Sequence, residues 1–472
     1  MIAIQFFQLM RFELLLAMIL FILLLVKLGN GNWSNRKILN LVNILLLVNF
    51  AAGLLPGREG FLFGDMFHTG KWVNLEKDLL NLATLIISAQ AYPWLKEHRQ
   101  APEFYILLLS SLIGMFFMIS AANFLMFYLG LELATIPLAG ICNFDLEKRQ
   151  SSESAMKLII SSAFSSGLLL FGLSLLYGAT GSLGFAEIPG HLDGSLLQLF
   201  AFLLLLTGFA FKISIVPFHL WTADVYEGAP ATVTAFLSVV SKAAFIFALI
   251  PVLYILFKPL VNVWYNILYL LSILSMVIGN LFAIRQNNLK RFLAFSSIAQ
   301  MGFILVGISG GSSMGSTSAL YFLLIYIFSN LGAFGVITQV SAVAGKEKME
   351  DYKGFAGTNS FLAWVLTISL FSLAGIPPTA GFFGKFFLIM AGAEKGNYLL
   401  VTVAALNMII SLYYYLKIVK TMFMDESPAP LERIPVASLS RMAMLVCVAA
   451  IVITGFIPAI YDYIYSLSFG VR

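Results

Sequence analysis

The chain has 472 residues, of which 60% are hydrophobic and 11% are charged, and its formal net charge is +5. Soluble globular proteins are about half apolar and about a quarter charged. This composition excludes an ordinary soluble domain and indicates an all-α membrane protein that crosses a lipid bilayer many times. The small positive charge indicates no nucleic-acid partner, because it follows from the uneven distribution of basic loop residues described below.

Hydrophobic segments follow one another along almost the whole chain. About fourteen can be distinguished, each close to the ~20 residues that cross the hydrocarbon core. We therefore predict about 14 transmembrane helices. Their predicted spans are 8–28, 37–55, 76–95, 104–121, 123–143, 153–178, 196–217, 230–256, 262–284, 288–309, 317–343, 360–390, 398–423 and 440–464.

The first segment is expected to remain in the membrane as a helix. Phe12–Val26 is apolar apart from Glu13, Arg11 precedes it, and no small-residue cleavage site follows it cleanly. A cleavable signal peptide would show such a site. The segment is therefore counted as the first transmembrane helix.

Lysine and arginine residues are unevenly distributed between the loops. Loops that follow odd-numbered segments hold seventeen of the 28 basic residues, among them Lys290 and Arg291 as a flanking pair. Loops that follow even-numbered segments, with the two chain ends, hold seven, among them Arg11 and Lys77. Basic residues concentrate on the cytoplasmic side of a membrane. We therefore predict cytoplasmic odd loops, both termini on the outer side, and an external hairpin over residues 56–72.

Motifs for cofactor chemistry are absent from the sequence. Cys142 and Cys447 are the only cysteines, and two distant thiols do not by themselves ligate an iron–sulfur cluster or a structural zinc. The sequence contains neither a glycine-rich dinucleotide motif nor a P-loop. We predict no cofactor and no metal on this chain, so redox chemistry is expected on another chain.

Four lysines belong to no loop, and one glutamate deep in its predicted segment is their acidic counterpart. They are Glu132, Lys157, Lys212, Lys242 and Lys385. A charge at membrane depth costs several kcal/mol unless it faces a polar interior, and rows of such groups mark proton relays in pumps. We expect Lys212 and Lys242 to lie well inside their helices and to carry protons.

Two of the predicted helices are interrupted beside these lysines. The run IVPFH at 215–219 follows Lys212, and the run AGIPPTAG at 374–381 precedes Lys385. Proline removes a backbone donor and leaves carbonyls without partners, which a membrane interior tolerates only where protein or water lines the break. Paired interruptions of this kind point to a transporter built from inverted repeats.

The spacing of the two breaks, five segments apart, predicts two inverted five-helix repeats. Segments 4–8 would form the first repeat in residues 104–256, and segments 9–13 the second in residues 257–424. Three helices in residues 1–103 would precede the repeats, and helix 14 in residues 425–472 would follow them. The repeat is inferred from this layout, since the two halves share no clear residue-level identity.

Several runs resemble the subunit N family of bacterial NADH–quinone oxidoreductase, respiratory complex I, whose members are antiporter-like membrane subunits. Glu132 lies in the first of these runs, Lys385 in the last, and the DVYEGAP motif suits subunit N better than its sister subunits M and L. The runs are GLELATIP at 130–137, ESAMKLIISSAFSSGLLLFGLSLLYGATGS at 153–182, FKISIVPFHLWTADVYEGAPATVTAFLSVVSKAA at 211–244, NNLKRFLAFSSIAQMGFILVG at 287–307 and SLAGIPPTAGFFGKFFL at 372–388. The resemblance covers roughly residues 104–415.

The resemblance implies a mechanism. Glu132 would pair with Lys212, Lys242 would link onward, and Lys385 would face the outer half-channel. Quinone reduction elsewhere in the complex would drive proton movement along this row, so this chain would be a non-redox subunit of a proton-pumping translocase. Flavin, iron–sulfur clusters, NADH and quinone would belong to other subunits. Its partners would be antiporter-like subunit M and the small helical subunits, in the bacterial inner membrane with both termini periplasmic.

Alternative roles remain open for individual residues. His219 could relay protons between lysines or cap carbonyls freed by the break, and Lys157 could admit protons or form a helix pair with Glu153. Asp224 and Glu227 are interpreted as solvated acids of a short turn, with lining of a proton entrance as the alternative. The buried lysines could instead reach toward an interface, and Glu132 could be a protonated carboxyl bonded to a backbone carbonyl.

Other functions compete with this interpretation. A subunit of a multi-subunit cation/proton antiporter shares much of the lysine–glutamate layout, and the membrane arm of a hydrogenase or formate-oxidising complex is a third candidate. A free-standing solute carrier would need polar groups shaped for a solute. Lysines favour protons over Na⁺, because a charged ammonium has no free lone pair for a cation.

Overall fold

The computed structural model describes residues 2–29, 33–96, 98 and 100–470. Its elements are almost all helices, which confirms the predicted all-helical membrane class. The first twelve are α1 (Ile2–Leu9), α2 (Arg11–Leu28), α3 (Asn35–Gly53), α4 (Lys71–Gln90), α5 (Tyr92–Leu95), α6 (Ala101–Ile119), α7 (Phe124–Cys142), α8 (Arg149–Thr180), α9 (Leu196–Lys212), α10 (Leu220–Gly228), α11 (Ala231–Phe236) and α12 (Lys242–Pro251). The others are α13 (Val261–Ile284), α14 (Leu289–Ser309), α15 (Ser313–Ala344), α16 (Phe355–Thr358), α17 (Ser360–Ala374), α18 (Ala380–Ala393), α19 (Tyr398–Phe423), α20 (Ser438–Phe456) and α21 (Pro458–Leu467).

Ten helical segments of the described residues are long and apolar enough to cross a membrane. The segment Ala231–Leu256 is one of them and contains α11, α12 and two π-helical turns. The shorter apolar helices are α9, α17 and α18, which flank the interruptions that the proline runs predict. The number of fourteen helices and the inverted repeats stay predictions. Met1, Arg99 and Arg472 lie outside the described residues, so the position of the chain ends also stays a prediction.

The predicted hairpin after the second hydrophobic segment is a small antiparallel pair, β1 (Gly60–Leu62) and β2 (Phe67–Thr69). Its register pairs Phe61 with His68. The turn needs left-handed backbone, with φ of 61° at Gly64, a conformation that glycine adopts without steric strain.

The chain divides into two compact units. The first unit comprises Met1–Ser88, Leu95–Ile213 and Val240–Val261. The second unit comprises Ala89–Trp94, Ser214–Val239 and Asn262–Arg472. Helices α9 and α12, with Lys212 and Lys242, therefore belong to the first unit, and α18 with Lys385 belongs to the second.

Glycines bring the central helices of the first unit close together. A Cβ at Gly114 of α6 would lie 2.3 Å from the backbone nitrogen of Ala134, and one at Gly130 of α7 would lie 2.5 Å from that of Met118. Such close backbone approach through small residues is a principal way to pack helices in lipid. It positions α7, and with it Glu132, against α6.

In the second unit, α14 and α15 form the buried centre. Every residue of α14 except Arg291 is buried, so this helix is surrounded by protein instead of lipid. Helices α17 and α18 pack against α15, and a Cβ at Gly302 of α14 would lie 2.9 Å from the backbone nitrogen of Met276 in α13. These contacts hold both sides of the second helix break.

Candidate functional site

Lys212 is the last residue of α9, where the helix stops at the predicted break. The expectation that it lies well inside a helix is therefore wrong. The break ends the helix one turn earlier than the apolar run suggests, because Ser214 has left-handed backbone with φ 63°. The Lys212 side chain is nevertheless buried. Its position at a helix C-terminus is favourable, because the partial negative charge of the last carbonyls stabilises a cation.

Two hydroxyls hold the Lys212 ammonium. Its Nζ donates to Thr135 Oγ1 of α7 at 3.2 Å and to Ser162 Oγ of α8 at 2.5 Å. Aromatic rings lie on its other sides, Phe211 at 6.0 Å and Phe245 of α12 at 5.9 Å from Nζ to the ring centroid. Three helices of the first unit therefore converge on one ammonium group.

Glu132 lies one helical turn before Thr135 on the same face of α7. Glu132, Thr135 and Ser162 line one cavity of about 50 Å³, together with Ile136, Ala139, Leu158, Ile159 and Ala163. Such a volume holds at least one water, since a single water needs only about 10–15 Å³ of this measure.

The two charges at this cavity act on each other without direct contact. Glu132 is the acidic group whose charge acts on Lys212, but no ion pair within 4.0 Å joins them in the part of the chain that the structure describes. Glu132 Oε1 is buried and, among the described residues, has no hydrogen-bond partner. The hydroxyls that contact Lys212 thus lie at the same cavity as an unsatisfied carboxylate oxygen.

Lys242 is fully buried at the start of α12, directly after the π-helical turn Leu237–Ser241. Lys242 nevertheless lies near the middle of the continuous helical segment Ala231–Leu256, as the sequence predicts, because the π-helical turn changes the hydrogen-bond pattern without interrupting the helix. π-Helical turns inside α-helices are frequent at functional sites. Helix α12 packs against α6 and α9, and Phe245, one turn after Lys242, is the residue whose ring approaches Lys212.

Lys385 lies in the second turn of α18, after the second break. Its Nζ donates to the carbonyls of Leu373 at 2.6 Å and Ala374 at 3.3 Å, and lies 4.8 Å from the Phe303 ring centroid. These carbonyls end α17 and have no partner within that helix. The break thus supplies the acceptors that hold the buried cation.

The structure assigns different surroundings to the two candidate proton-path residues. His219 is buried directly before α10 in the second unit. Lys157 forms an ion pair with Glu153 at 2.7 Å, and both side chains are largely exposed on α8. The helix-pair contact is therefore present, while a proton-path role for either residue stays a prediction.

Two assignments of charged residues to loops are wrong. Asp224 and Glu227 are part of α10, which continues to Gly228, and bind Arg291 at 2.7 Å and 2.9 Å. Lys290 is buried, donates to Ala229 O at 3.0 Å and pairs with Glu347 at 2.9 Å. All of these contacts lie within the second unit. Their partners are far apart in the chain, so the local sequence around each residue does not indicate the pairing.

Arg11 and Lys77, counted with the loops and chain ends, lie in α2 and α4 and are buried. The three consecutive charges of Glu76, Lys77 and Asp78 are typical of a solvated helix end. Their partners are distant in sequence, so the local pattern could not show their burial. Thr135 and Ser162 were also missed as ligands of Lys212, although Thr135 lies one turn from Glu132 in the GLELATIP motif.

Comparisons with known proteins give consistent results. Residues 121–411 match the family described as NADH:quinone oxidoreductase/Mrp antiporter, TM. A relative from Phocaeicola vulgatus, named NADH-quinone oxidoreductase subunit N, is 48% identical over 424 residues, which cover 89% of each chain.

Solved structures agree in fold. A chain of respiratory complex I from Thermus thermophilus is 28% identical with a TM-score of 0.80, covering 95% of this chain and 97% of that one. A chain of the Mrp complex from Dietzia sp. DQ12-45-1b is 22% identical with a TM-score of 0.82, covering 97% and 98%. At that lower identity, the second likeness shows the fold alone.

Proposed function

Because the chain belongs to the NADH:quinone oxidoreductase/Mrp antiporter transmembrane family, we propose that it is the antiporter-like subunit N of an NADH–quinone oxidoreductase. In this proposal it translocates protons through buried lysine and glutamate residues, coupled to quinone reduction in other subunits. The observation that carries the proposal is the Lys212 ammonium held by Thr135 and Ser162 at a cavity shared with Glu132.

The chemistry of this cavity suits proton transfer. A hydroxyl donates one hydrogen bond and accepts others, so Ser162 can receive a proton from the Lys212 ammonium and pass on its own. Thr135 accepts from Lys212 as well, but its own proton is donated to the carbonyl of Leu131. The Glu132 carboxylate stabilises the charged form of Lys212, and its withdrawal or protonation favours the release of a proton. A change of charge at Glu132 therefore switches Lys212 between holding and releasing its proton.

Lys242 continues the proton path in the first unit. Its helix packs on α9, and Phe245 contacts the Lys212 ammonium. Lys385 is the corresponding carrier of the second unit, held by the carbonyls of the broken helix. His219 and Lys157 are candidates for further steps of the path, as a relay and a proton entrance.

The remaining assignments follow from the same proposal. Flavin, iron–sulfur clusters, NADH and quinone belong to other subunits, so this chain is a non-redox subunit of the translocase. Its neighbours are antiporter-like subunit M and the small helical subunits. The chain crosses the bacterial inner membrane about fourteen times, close to the ~20 residues per crossing that the hydrocarbon requires, with two inverted five-helix repeats and both termini in the periplasm.

A subunit of a cation/proton antiporter is the second candidate, because the Mrp chain shares the fold. The relative at 48% identity favours the dehydrogenase subunit. Purification separates the two, since an oxidoreductase subunit co-purifies with flavin and iron–sulfur proteins and an antiporter subunit does not.

The test of the proposed function is proton pumping by the assembled complex. We would reconstitute the complex in sealed vesicles with Lys242→Met and measure protons moved per electron, with assembly checked on a native gel. The matched control is Lys395→Met, since Lys395 is an exposed lysine beyond α18. Lost pumping in the assembled Lys242→Met complex, with the control intact, supports the proposal. Normal pumping per electron would mean that the chain is a scaffold.

A further inference from the structure

A second group of buried ionisable residues lies outside the site described above, in the first three long helices. Its members come from α2 and α4, which the proposed proton path does not use. They are Arg11 (9% exposed), Glu13 (2%), Glu76 (1%), Lys77 (0%) and Asp78 (7%), here called the α2–α4 cluster. Five such groups this deeply buried require mutual compensation, because an uncompensated buried charge is expensive.

An ion pair forms the centre of the α2–α4 cluster. Lys77 Nζ lies 2.6 Å from Glu13 Oε1. The Phe67 ring of the hairpin lies 4.9 Å from the same nitrogen, and the Phe12 ring 5.8 Å. Aromatic faces of this kind attract a cation that has lost its water, and the neighbouring Glu13 carboxyl also favours the charged form of Lys77.

Arg11 and Asp78 meet at the end of α3. Arg11 donates to the carbonyls of Leu55 at 2.8 Å and Gly53 at 2.9 Å. Asp78 packs against the same residue so tightly that a Cβ on Gly53 would lie 1.7 Å from Asp78 Oδ1. Arg11 therefore binds two backbone carbonyls and also interacts with the charge of Asp78.

The charges of the α2–α4 cluster do not balance. Two bases, Arg11 and Lys77, face three carboxyl groups, so full ionisation would leave one buried negative charge without compensation. The excess is not confined to one residue, since Glu76 Oε1 and Asp78 Oδ1 are both buried and have no hydrogen-bond partner among the described residues. We propose that the carboxyl groups of Glu13, Glu76 and Asp78 together bind one proton, which makes the α2–α4 cluster a second proton-binding site of the chain.

His68 is the group through which we expect this proton to exchange with the solvent. His68 of β2 is half-buried, and the charges of Lys77 and Glu59 act on it. Burial lowers the pKa of His68, Lys77 lowers it further and Glu59 opposes both. The imidazole is therefore held mostly neutral at physiological pH and can accept a proton. His68 is half-buried in the hairpin, so we assign it as the group that exchanges this proton with the surface.

Buried polar groups also continue from the α2–α4 cluster along α4. Asn81, Thr84 and Ser88 follow Lys77 and Asp78 at helical spacing and are fully buried. Asn81 accepts from Asn49 Nδ2 at 3.2 Å, and Ser88 Oγ lies 3.0 Å from Tyr105 Oη. A polar row of this kind indicates that this face of α4 packs against protein instead of lipid.

Infrared spectroscopy of the resting, assembled complex tests the proposal. A protonated carboxyl has a carbonyl stretch that carboxylates lack, and the band shifts in D₂O. Removing any one carboxyl leaves two carboxylates facing two bases, so Glu76→Gln, Glu13→Gln and Asp78→Asn are each expected to lose the signal of one protonated carboxyl. The control is Glu426→Gln, since Glu426 is exposed and the band should not change.

Lys77→Met provides a test of opposite sign. Removing the ammonium leaves one more negative charge in excess, so the band should gain the signal of one further protonated carboxyl. An unchanged band in those carboxyl variants that assemble, or no gain with Lys77→Met, would overturn the proposal. The measurement requires no turnover, so its result is independent of whether Lys212 and Lys242 pump protons.

Discussion

The ammonium of Lys385 lies 2.6 Å from the carbonyl oxygen of Leu373, across a break in the helix that carries both. Leu373 O also accepts from Gln300 Nε2 at 3.0 Å. Helix α17 therefore ends on two donors, one of them charged, instead of on unsatisfied carbonyls. The interruption and the buried lysine explain each other, because the charge needs acceptors and the helix end needs donors.

We expect Lys385→Met to lower both pumping and stability. In the variant, Leu373 O keeps only the hydrogen bond from Gln300, and Ala374 O loses the hydrogen bond from Lys385. An unsatisfied buried group of this kind lowers the free energy of unfolding by about 1–3 kcal/mol. Thermal unfolding of the purified complex measures the stability, and proton uptake in vesicles measures the pumping. Lys395→Met on the exposed loop should change neither, and normal pumping by assembled Lys385→Met would remove this lysine from the path.

Lys212→Ala should strongly reduce quinone reductase activity that is coupled to pumping. Electron transfer to a water-soluble acceptor should remain intact, since no redox centre is expected on this chain. Comparing the two activities in the same membranes checks this. Full quinone activity in the variant would show that Lys212 has no part in the mechanism.

Removing the two hydroxyls that hold Lys212 should also reduce pumping, but less than removing Lys212 itself. We expect the double change Thr135→Val and Ser162→Ala to reduce pumping several-fold, because the ammonium loses both hydrogen-bond acceptors. Ser161→Ala is the matched control, since the Ser161 hydroxyl bonds to backbone of its own helix. Equal pumping by the double variant and the control would argue against a hydroxyl relay.

Glu132→Gln and Glu132→Ala should behave alike, with weaker loss of activity than Lys212→Ala. The charge of Glu132 acts on Lys212 without a direct ion pair, and both variants remove that charge, although alanine also removes the rest of the side chain. Quinone reductase rates of the two variants and of the wild type test whether the charge of Glu132 is what the activity requires. A normal rate with glutamine and a low rate with alanine would show that the side chain acts through its shape or hydrogen bonds.

Lys157→Ala should leave activity and stability nearly unchanged. Lys157 and Glu153 are largely exposed, and a helix pair of this type contributes only about 0.3–0.5 kcal/mol. Initial rates of quinone reduction at several pH values provide the measurement. A large loss that is steepest at high pH would instead favour a role in proton entry.

Gly114→Ala should disturb the site from a distance. The added Cβ would lie 2.3 Å from the backbone nitrogen of Ala134, so α6 and α7 must separate, at a cost of about 1–3 kcal/mol. We expect reduced assembly on a native gel and reduced activity in what assembles. Gly178→Ala in α8 is the control, since no other atom lies within 4 Å of its Cβ, and equal effects of both changes would contradict the packing argument.

The sequence by itself determined the membrane class and identified the charged residues and helix breaks that are unusual in a membrane segment. Long apolar runs can satisfy their backbone only as helices in lipid, and a lysine within such a run is conspicuous without any knowledge of its neighbours. The same is true of the two proline runs, because a proline ends a helix through local geometry. Glu132, Lys212, Lys242 and Lys385, together with both breaks, were therefore accessible from the chain alone.

Only the tertiary structure decided what these residues contact. Thr135 and Ser162 lie 77 and 50 positions from Lys212 in sequence, and Glu13 lies far from Lys77, so no local pattern connects them. Charged runs such as Glu76, Lys77 and Asp78 are typical of a solvated surface until distant helices cover them. The physical reason is that composition and periodicity report local preferences, whereas the burial and pairing of a charge depend on which helices pack together.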